Sequence, residues 1–319
     1  MQSIYQTISN FFFNTYNTGL IQRIFTECHN QLAESTSSYA IIALGSFALG
    51  TATLWSDFEY AILIEKKDDI EYFRNLAYLA HIKIINMGES LLRSIGVKEL
   101  NNFKLGTDDW FWDDVIEQGF SLDGKNRAAC KTPLGRKNYM ALPDFELILT
   151  PNQMGKLQSS MINKHLSQAL MLAIFVQGDN RLVAEYKSKK KAIDSIGILL
   201  DDLNKYWLSA DIINKVRVDV KRDIYRLVDR IISGLGSYYG IVGTSWHIAE
   251  QLVDVCMING VIRALEIACE LRLIAGYQNK SIDIIVVDNK VRALIIEYTN
   301  IMLVVQLDVK NICIQLNAI

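Results

Sequence analysis

The pattern of apolar and polar positions changes along the chain, and each change marks an element. Residues 4–35 place Ile4, Ile8, Phe11 and Phe12, then Leu20, Ile21 and Ile24, at mixed three- and four-residue steps, the spacing of a helix with one apolar face. Ser35-Thr36-Ser37-Ser38 punctuates it. Tyr39 to Leu44 is a short apolar run ending at Gly45, which predicts a buried strand. The next strand alternates strictly: Phe58, Tyr60, Ile62 and Ile64 take one face, and Asp57, Glu59, Ala61 and Leu63 the other. A helical pattern covers residues 69–97. Residues 100–140 are irregular, and Pro143 leads into a third strand, Asp144 to Leu149.

At Thr150-Pro151-Asn152-Gln153 the period changes. Thr150 is a helix N-cap, Pro151 takes the first helical position, and Gln153 stands three residues after the cap. From there the pattern predicts helices over 152–177, 180–204, 209–233, 245–256 and 258–275, broken at Gly178, at Gly234-Leu235-Gly236 and at Gly276. Residues 281–319 hold many Ile and Val but no Pro or Gly, and fit strands or a helix equally. The expected architecture is an N-terminal helical extension (1–35) and an α+β domain with a small mixed sheet flanked by helices (36–150). An all-α bundle (151–276) and a terminal segment of open structure (277–319) follow.

Composition narrows the classes. With 319 residues, half of them hydrophobic and 21% charged, the chain can bury a sizeable core in about two domains; disordered, collagen-like and disulfide-scaffold classes are excluded. Lys and Arg number 33 against 35 Asp and Glu, a net charge of −2, so neither nucleic acid nor an anionic membrane is an expected partner. Five scattered cysteines with no Cys-x-x-Cys pair, no secretory signal and no apolar run of about 20 residues suit a reducing compartment, the cytoplasm.

The chemistry concentrates in Gly45-Ser46, about ten residues of turn, and then Ser56-Asp57-Phe58-Glu59. Residues two apart on a strand point the same way, with Cα atoms about 6.5–7 Å apart. Two carboxylates placed so can share divalent cations, and hard oxygen ligands suit Mg²⁺ holding phosphates. Gly45 and Ser46, opening a helical turn, offer backbone N–H groups and a hydroxyl to phosphate oxygens. A third carboxylate from a neighbouring strand would complete a two-metal site. Asp144 and Glu146 share a face of their strand, so the period alone leaves both open.

This arrangement resembles the nucleotidyltransferase superfamily that includes DNA polymerase β. More narrowly it is similar to the group of nucleotidyltransferases related to the PII-protein uridylyltransferase. Gly45, Ser46 and Ala48 match that group, as do Ser56, Asp57 and Glu59, with Trp55 in place of its Tyr. Glu146-Leu147-Ile148-Leu149-Thr150-Pro151 resembles its Glu-Leu-Ile-x-Thr-Pro element. Gly178 to Leu182, Val220 to Arg226 and Ala264 to Leu273 resemble its helical half. The resemblance implies transfer of a nucleoside monophosphate from an NTP, ATP or UTP, to an acceptor hydroxyl, with a protein side chain as an expected acceptor and pyrophosphate as product. Asp57, Glu59 and Glu146 would be the catalytic and metal-binding carboxylates, for Mg²⁺ or Mn²⁺, and Gly45 and Ser46 would hold the β/γ-phosphates. The group's Arg is Leu49 here, and its Glu two residues on is Thr51. That loss of a cation motivates a second expectation, a nucleotidyltransferase-fold module that binds a partner or nucleotide without catalysis.

Arg222, Arg226 and Arg230 sit on a helix and share a face at four-residue spacing. Asp219 and Asp223 stand three residues before an Arg, as on an ion-paired surface. The functional alternative makes Arg222 and Arg226 nucleotide-binding residues. Trp110 and Trp112, within an acidic loop, fit the lining of a site and a loop cluster that packs on the domain equally well.

Overall fold

The computed structural model describes residues 18–32, 37–53, 56–86, 121–122, 146–160, 163–279 and 284–317. The expectations for residues 4–17, 87–97, Trp110, Trp112 and Asp144 lie outside them. Two compact units are formed. One includes Phe11–Ala48 and Leu54–Lys191; the other includes Leu49–Thr53 and Ala192–Ile319.

The first unit is a three-layer α/β arrangement. Its described elements are α1 (Thr18–Gln31), β1 (Tyr39–Ala43), the one-turn α2 (Gly45–Ala48), β2 (Asp57–Phe58), β3 (Tyr60–Ile64), α3 (Ile70–Asn86), β4 (Ser121–Leu122), β5 (Ile148–Leu149), α4 (Pro151–Ser159), α5 (Lys164–Met171), β6 (Ile174–Gly178) and α6 (Asn180–Lys189). Four strands form a mixed sheet in the order β5-β3-β1-β6. β1 runs antiparallel to β3 and β6, and β3 parallel to β5. β2 pairs separately, in parallel, with β4.

Every residue of β3 is buried, because both faces of the sheet are covered. On one face Ala40, Ile42, Leu44, Ala61 and Leu63 pack with Met154 of α4, Leu166 and Leu170 of α5, and Leu182 and Tyr186 of α6. On the other, Tyr60 meets Phe25 of α1 edge-on and His81 of α3, while Tyr39 meets Phe73 of α3. The expected capping box forms: Thr150 Oγ1 accepts from Gln153 N, and Gln153 Oε1 accepts from Thr150 N at 3.1 Å.

The main difference from the sequence reading is β6. Residues 152–177 were expected to form one helix; instead they form α4, α5 and, from Ile174 to the break at Gly178, an edge strand beside β1. A continuous apolar run, Leu170 to Val176, fits a buried helix or a strand equally by period. The edge position against β1 decides it, and the sheet-bearing unit therefore runs past residue 150 to Lys191.

The second unit is mostly helical: α7 (Ser195–Lys205), a 3₁₀ turn (Ala210–Asn214), β7 (Arg217–Asp219), a π-helical segment (Val220–Tyr225), α8 (Arg226–Tyr238), α9 (Ser245–Cys256), α10 (Val261–Asn279), β8 (Ile284–Val286) and α11 (Asn289–Asn317). Two expectations are corrected. The helix expected over 209–233 is interrupted by β7, whose Val218 pairs with Ile285 of β8. The expected breaks at Gly234, Gly236 and Gly276 fall inside α8 and α10. Gly234 lies against Leu199 and Gly236 against Ile248, so they let neighbouring helices approach closely. The open segment 277–319 resolves into the end of α10, β8 and the 29-residue α11.

Candidate functional site

β1 carries five buried or half-buried residues into a corner where Gly45 and Ser46 are half-exposed between buried Leu44 and buried Phe47. Gly45 adopts φ +55°, a backbone state that glycine enters without steric penalty. A Cβ there would fall on Oε2 of Glu59, so the absence of a side chain lets the Glu59 carboxylate lie against the start of the turn. The backbone fixes this approach: Leu44 N donates to Glu59 O at 2.9 Å, and Ala48 N to Leu44 O at 3.3 Å. Phe47 anchors the turn by packing edge-to-face on Phe58 with ring centroids 5.2 Å apart.

Alternation carries through Glu59. The rings of Phe58 and Tyr60 stack at 4.6 Å with an 11° interplanar angle, so both lie on one face of the strand and Glu59 points to the other. Asp57 occupies the first position of β2, paired with Ser121. The structure thus brings together Gly45, Ser46 and Glu59, with Asp57 two residues away along the same strand path.

Glu146 does not join them. The β3–β5 register pairs Ile62 with Ile148, which puts Glu146 on the Tyr60–Ile62 face, opposite Glu59. There it makes a bidentate ion pair with Arg74 of α3: Nε donates to Oε1 at 2.6 Å and Nη2 to Oε2 at 2.8 Å. Arg74 also pairs with Glu71, and these bonds, that to Glu146 foremost, hold its guanidinium charged. The expectation that Glu146 completes a metal site with Asp57 and Glu59 is corrected on this ground. The β-strand period shows that Asp144 and Glu146 share a face, but not that this is the face covered by α3.

Two hard carboxylate ligands are the set that Mg²⁺ takes when phosphates and waters supply the rest, so the donors at Asp57 and Glu59 suit a metal–triphosphate. Among the described residues no three His, Cys, Asp or Glu side chains gather as a metal-binding group.

Arg222 and Arg226 belong to the helical unit. Arg222 Nε donates to Asp223 Oδ1 at 2.8 Å, and Arg222 N to Asp219 Oδ1 at 2.8 Å. Partial burial pushes the Asp223 carboxyl up, but hydrogen bonds from Arg222 and Lys215 outweigh it and hold the group below its ordinary value. Arg226 Nη1 donates to the Tyr206 hydroxyl at 3.4 Å, its guanidinium 5.8 Å from that ring centre. Arg230 Nε lies 3.6 Å from Asp202 Oδ2. Arg222 and Arg230 are thus engaged by carboxylates, but not at the expected three-residue spacing, and Arg226 meets Tyr206 rather than Asp223; the π-helical segment displaces Arg222 from a regular four-residue register.

Leu49 and Thr51, which stand where the resembling group has Arg and Glu, are buried in the helical unit. Leu49 O accepts from Ser245 N at 2.7 Å. Thr51 Oγ1 and the Tyr225 hydroxyl share a hydrogen bond of 2.5 Å, and Arg272 Nη1 donates to Thr51 O at 3.1 Å. Sequence reasoning missed this cluster, because no spacing links residue 51 to residues 225 and 272.

Residues 5–90 match the family model described as "Putative nucleotidyltransferase DUF294". The match takes in Gly45, Ser46, Asp57 and Glu59. Over that span it agrees with the nucleotidyltransferase likeness of the motif, and the mixed sheet with flanking helices is the expected α+β class. No curated protein matches the chain.

Proposed function

We propose that the chain is a Mg²⁺- or Mn²⁺-dependent nucleotidyltransferase that moves a nucleoside monophosphate from an NTP, ATP or UTP, to an acceptor hydroxyl. In that reaction the acceptor oxygen bonds to the α-phosphorus, the bridging bond to the β-phosphate breaks, and pyrophosphate leaves. The observation that carries the reading is the Glu59 carboxylate seated against Gly45, in the stretch that matches the family model. Gly45 and Ser46 present backbone N–H groups and a hydroxyl to the β/γ-phosphates, and Asp57 and Glu59 hold the cation. When bound, that cation offsets the charge developing on the leaving pyrophosphate. A protein side chain is the acceptor we favour, on the resemblance to the uridylyltransferase group. The described cysteines are all free, which fits a reducing compartment such as the cytoplasm, and no helix among the described residues is long and apolar enough to cross a membrane.

A second reading, a module of this fold that binds without transferring, is favoured by two observations. Leu49 is buried where the group has Arg, and Glu146 is committed to Arg74. Thermal shift with ATP, UTP, GTP and CTP, each with and without Mg²⁺, separates the two. The enzyme reading expects a Mg²⁺-dependent rise for one NTP, lost in Asp57→Ala/Glu59→Ala at an unchanged circular-dichroism spectrum. Equal NTP affinity in the double variant and the wild type would remove the site.

A further inference from the structure

α11 buries one face and leaves the opposite one apolar. Val291, Ile295, Tyr298, Met302, Val305 and Val309 are buried, in contact with α7, α10 and the 3₁₀ turn. On the outer side Ile296 is 39% exposed, Val304 58%, Leu307 52% and Ile314 53%. With Asn300 and Asn311, both exposed, these residues recur at steps of four, four, three, four and three, which is one straight stripe along a helix.

The stripe itself holds no charged residue, and of the charges beside it Glu297 and Lys310 are engaged by the chain's own side chains, while Asp308 is exposed at its edge. Glu297 is paired with Arg263 at 2.8 and 3.1 Å, and Lys310 sits 5.2 Å from the Trp207 ring centre. A charged partner therefore finds little to recognise here. A membrane surface is also a poor match, since helices that lie on membranes carry Lys and Arg along their polar border. What the stripe does match is itself. In a two-fold pairing of parallel helices, Ile296, Val304, Leu307 and Ile314 meet their own counterparts. Asn300 and Asn311 meet theirs too, and each amide both donates and accepts.

We propose that the outer face of α11, from Ile296 to Ile314, joins two copies of this chain through a parallel helix pair. The stripe is about 27 Å long at 1.5 Å per residue. Two copies would cover on the order of 1,000 Å² in all, the lower edge for a specific interface, so the dimer dissociates on dilution.

Sedimentation velocity of the full chain over a wide concentration series tests this. The expected result is a shift from the 36.2 kDa monomer toward twice that mass as concentration rises. Val304→Glu/Leu307→Glu should stay monomeric throughout, with the wild-type melting temperature, because both side chains are exposed. Val304→Cys should form a disulfide-linked dimer under mild oxidation, since the parallel register sets residue 304 against its counterpart. A wild type monomeric at every concentration overturns the proposal. So does a double-Glu variant that dimerises as the wild type does, which would place the contact on another face. A Val304→Cys dimer that never cross-links overturns the parallel register.

Discussion

Leu49 shows how one residue separates two accounts of the same motif. It is 6% exposed, and its carbonyl is hydrogen-bonded to the start of α9. If this position still faced a triphosphate, Leu49→Arg would restore a phosphate-binding guanidinium and tighten NTP binding about tenfold, the equivalent of ~1.4 kcal/mol. The burial argues for the opposite result. A guanidinium forced into this buried position gives up its hydration, at a cost of several kcal/mol. Leu49→Arg is therefore expected to lower the melting temperature by many degrees and to leave Mg²⁺-dependent NTP affinity no tighter. Calorimetric titration beside a melting curve reads both, and tighter binding at unchanged melting temperature would reverse the assignment. Gly45 and Glu59 contrast with Leu49. Their approach was legible in the sequence as a strand, a Gly-Ser corner and a following Asp-x-Glu, because a period of two and a glycine turn are local rules. The Arg74–Glu146 pair joins residues 72 positions apart, and nothing local announces it.

At the scale of elements, the strongest periodic signals were the ones that held. β1 and β3 lie where the apolar run and the alternation put them, α9 keeps its expected span of 245–256, and α4 starts at the capping box but ends at Ser159. β6 was missed because an apolar run flanked by helices has no period that distinguishes strand from helix. β7 was missed although Val216, Val218 and Val220 alternate with Arg217 and Asp219, because a strand of three residues between helical patterns gives too short a signal. Their state is set by β1 and β8, which supply the hydrogen bonds. The contact of α3 with β3 has its own pH signature. His81 is fully buried, and its Nε2 lies 2.8 Å from the Tyr60 hydroxyl. Burial pushes the imidazole from its ordinary 6.5 down to about 3. Below pH 6.5 the unfolded chain takes a proton that the folded chain refuses, so this stability is present above 6.5 and is lost as pH falls toward 3. The loss approaches ~1.4 kcal/mol per pH unit. His81→Gln keeps an acceptor for Tyr60 but cannot titrate. Denaturant unfolding between pH 6.5 and 5, above the range where most carboxylates protonate, should show a shallower decline in the variant. Parallel slopes would mean that His81 takes up its proton without unfolding.

At the scale of the whole molecule, the signature segment is divided between the two compact units. Gly45 to Ala48 belong to the sheet unit and Leu49 to Thr53 to the helical one. What holds residues 49–53 in the helical unit is a buried polar cluster. Trp246 Nε1 donates to Gly50 O at 3.4 Å, Arg272 donates to Thr51 O and stacks 4.2 Å from the Tyr225 ring centre, and the Tyr225 hydroxyl donates to Asp229 Oδ1 at 3.1 Å. Thr51, Asp229 and Arg272 are all buried, so the cluster holds one positive and one negative charge away from water. Both charges lie against Tyr225, and removing one of two opposite buried charges that share a neighbour is expensive, because the other is left uncompensated. Arg272→Met should therefore destabilise the protein by about 3–5 kcal/mol. Asp229→Asn alone should also destabilise it, whereas the double variant strands no charge. Its loss should fall short of the sum of the single losses by roughly 1–3 kcal/mol. Urea unfolding of the four proteins closes this cycle. Additivity within about 0.5 kcal/mol would show that the two charges do not sense each other. The anchoring of residues 49–53 would then rest on the separate hydrogen bonds that Tyr225, Ser245, Trp246 and Arg272 make to them.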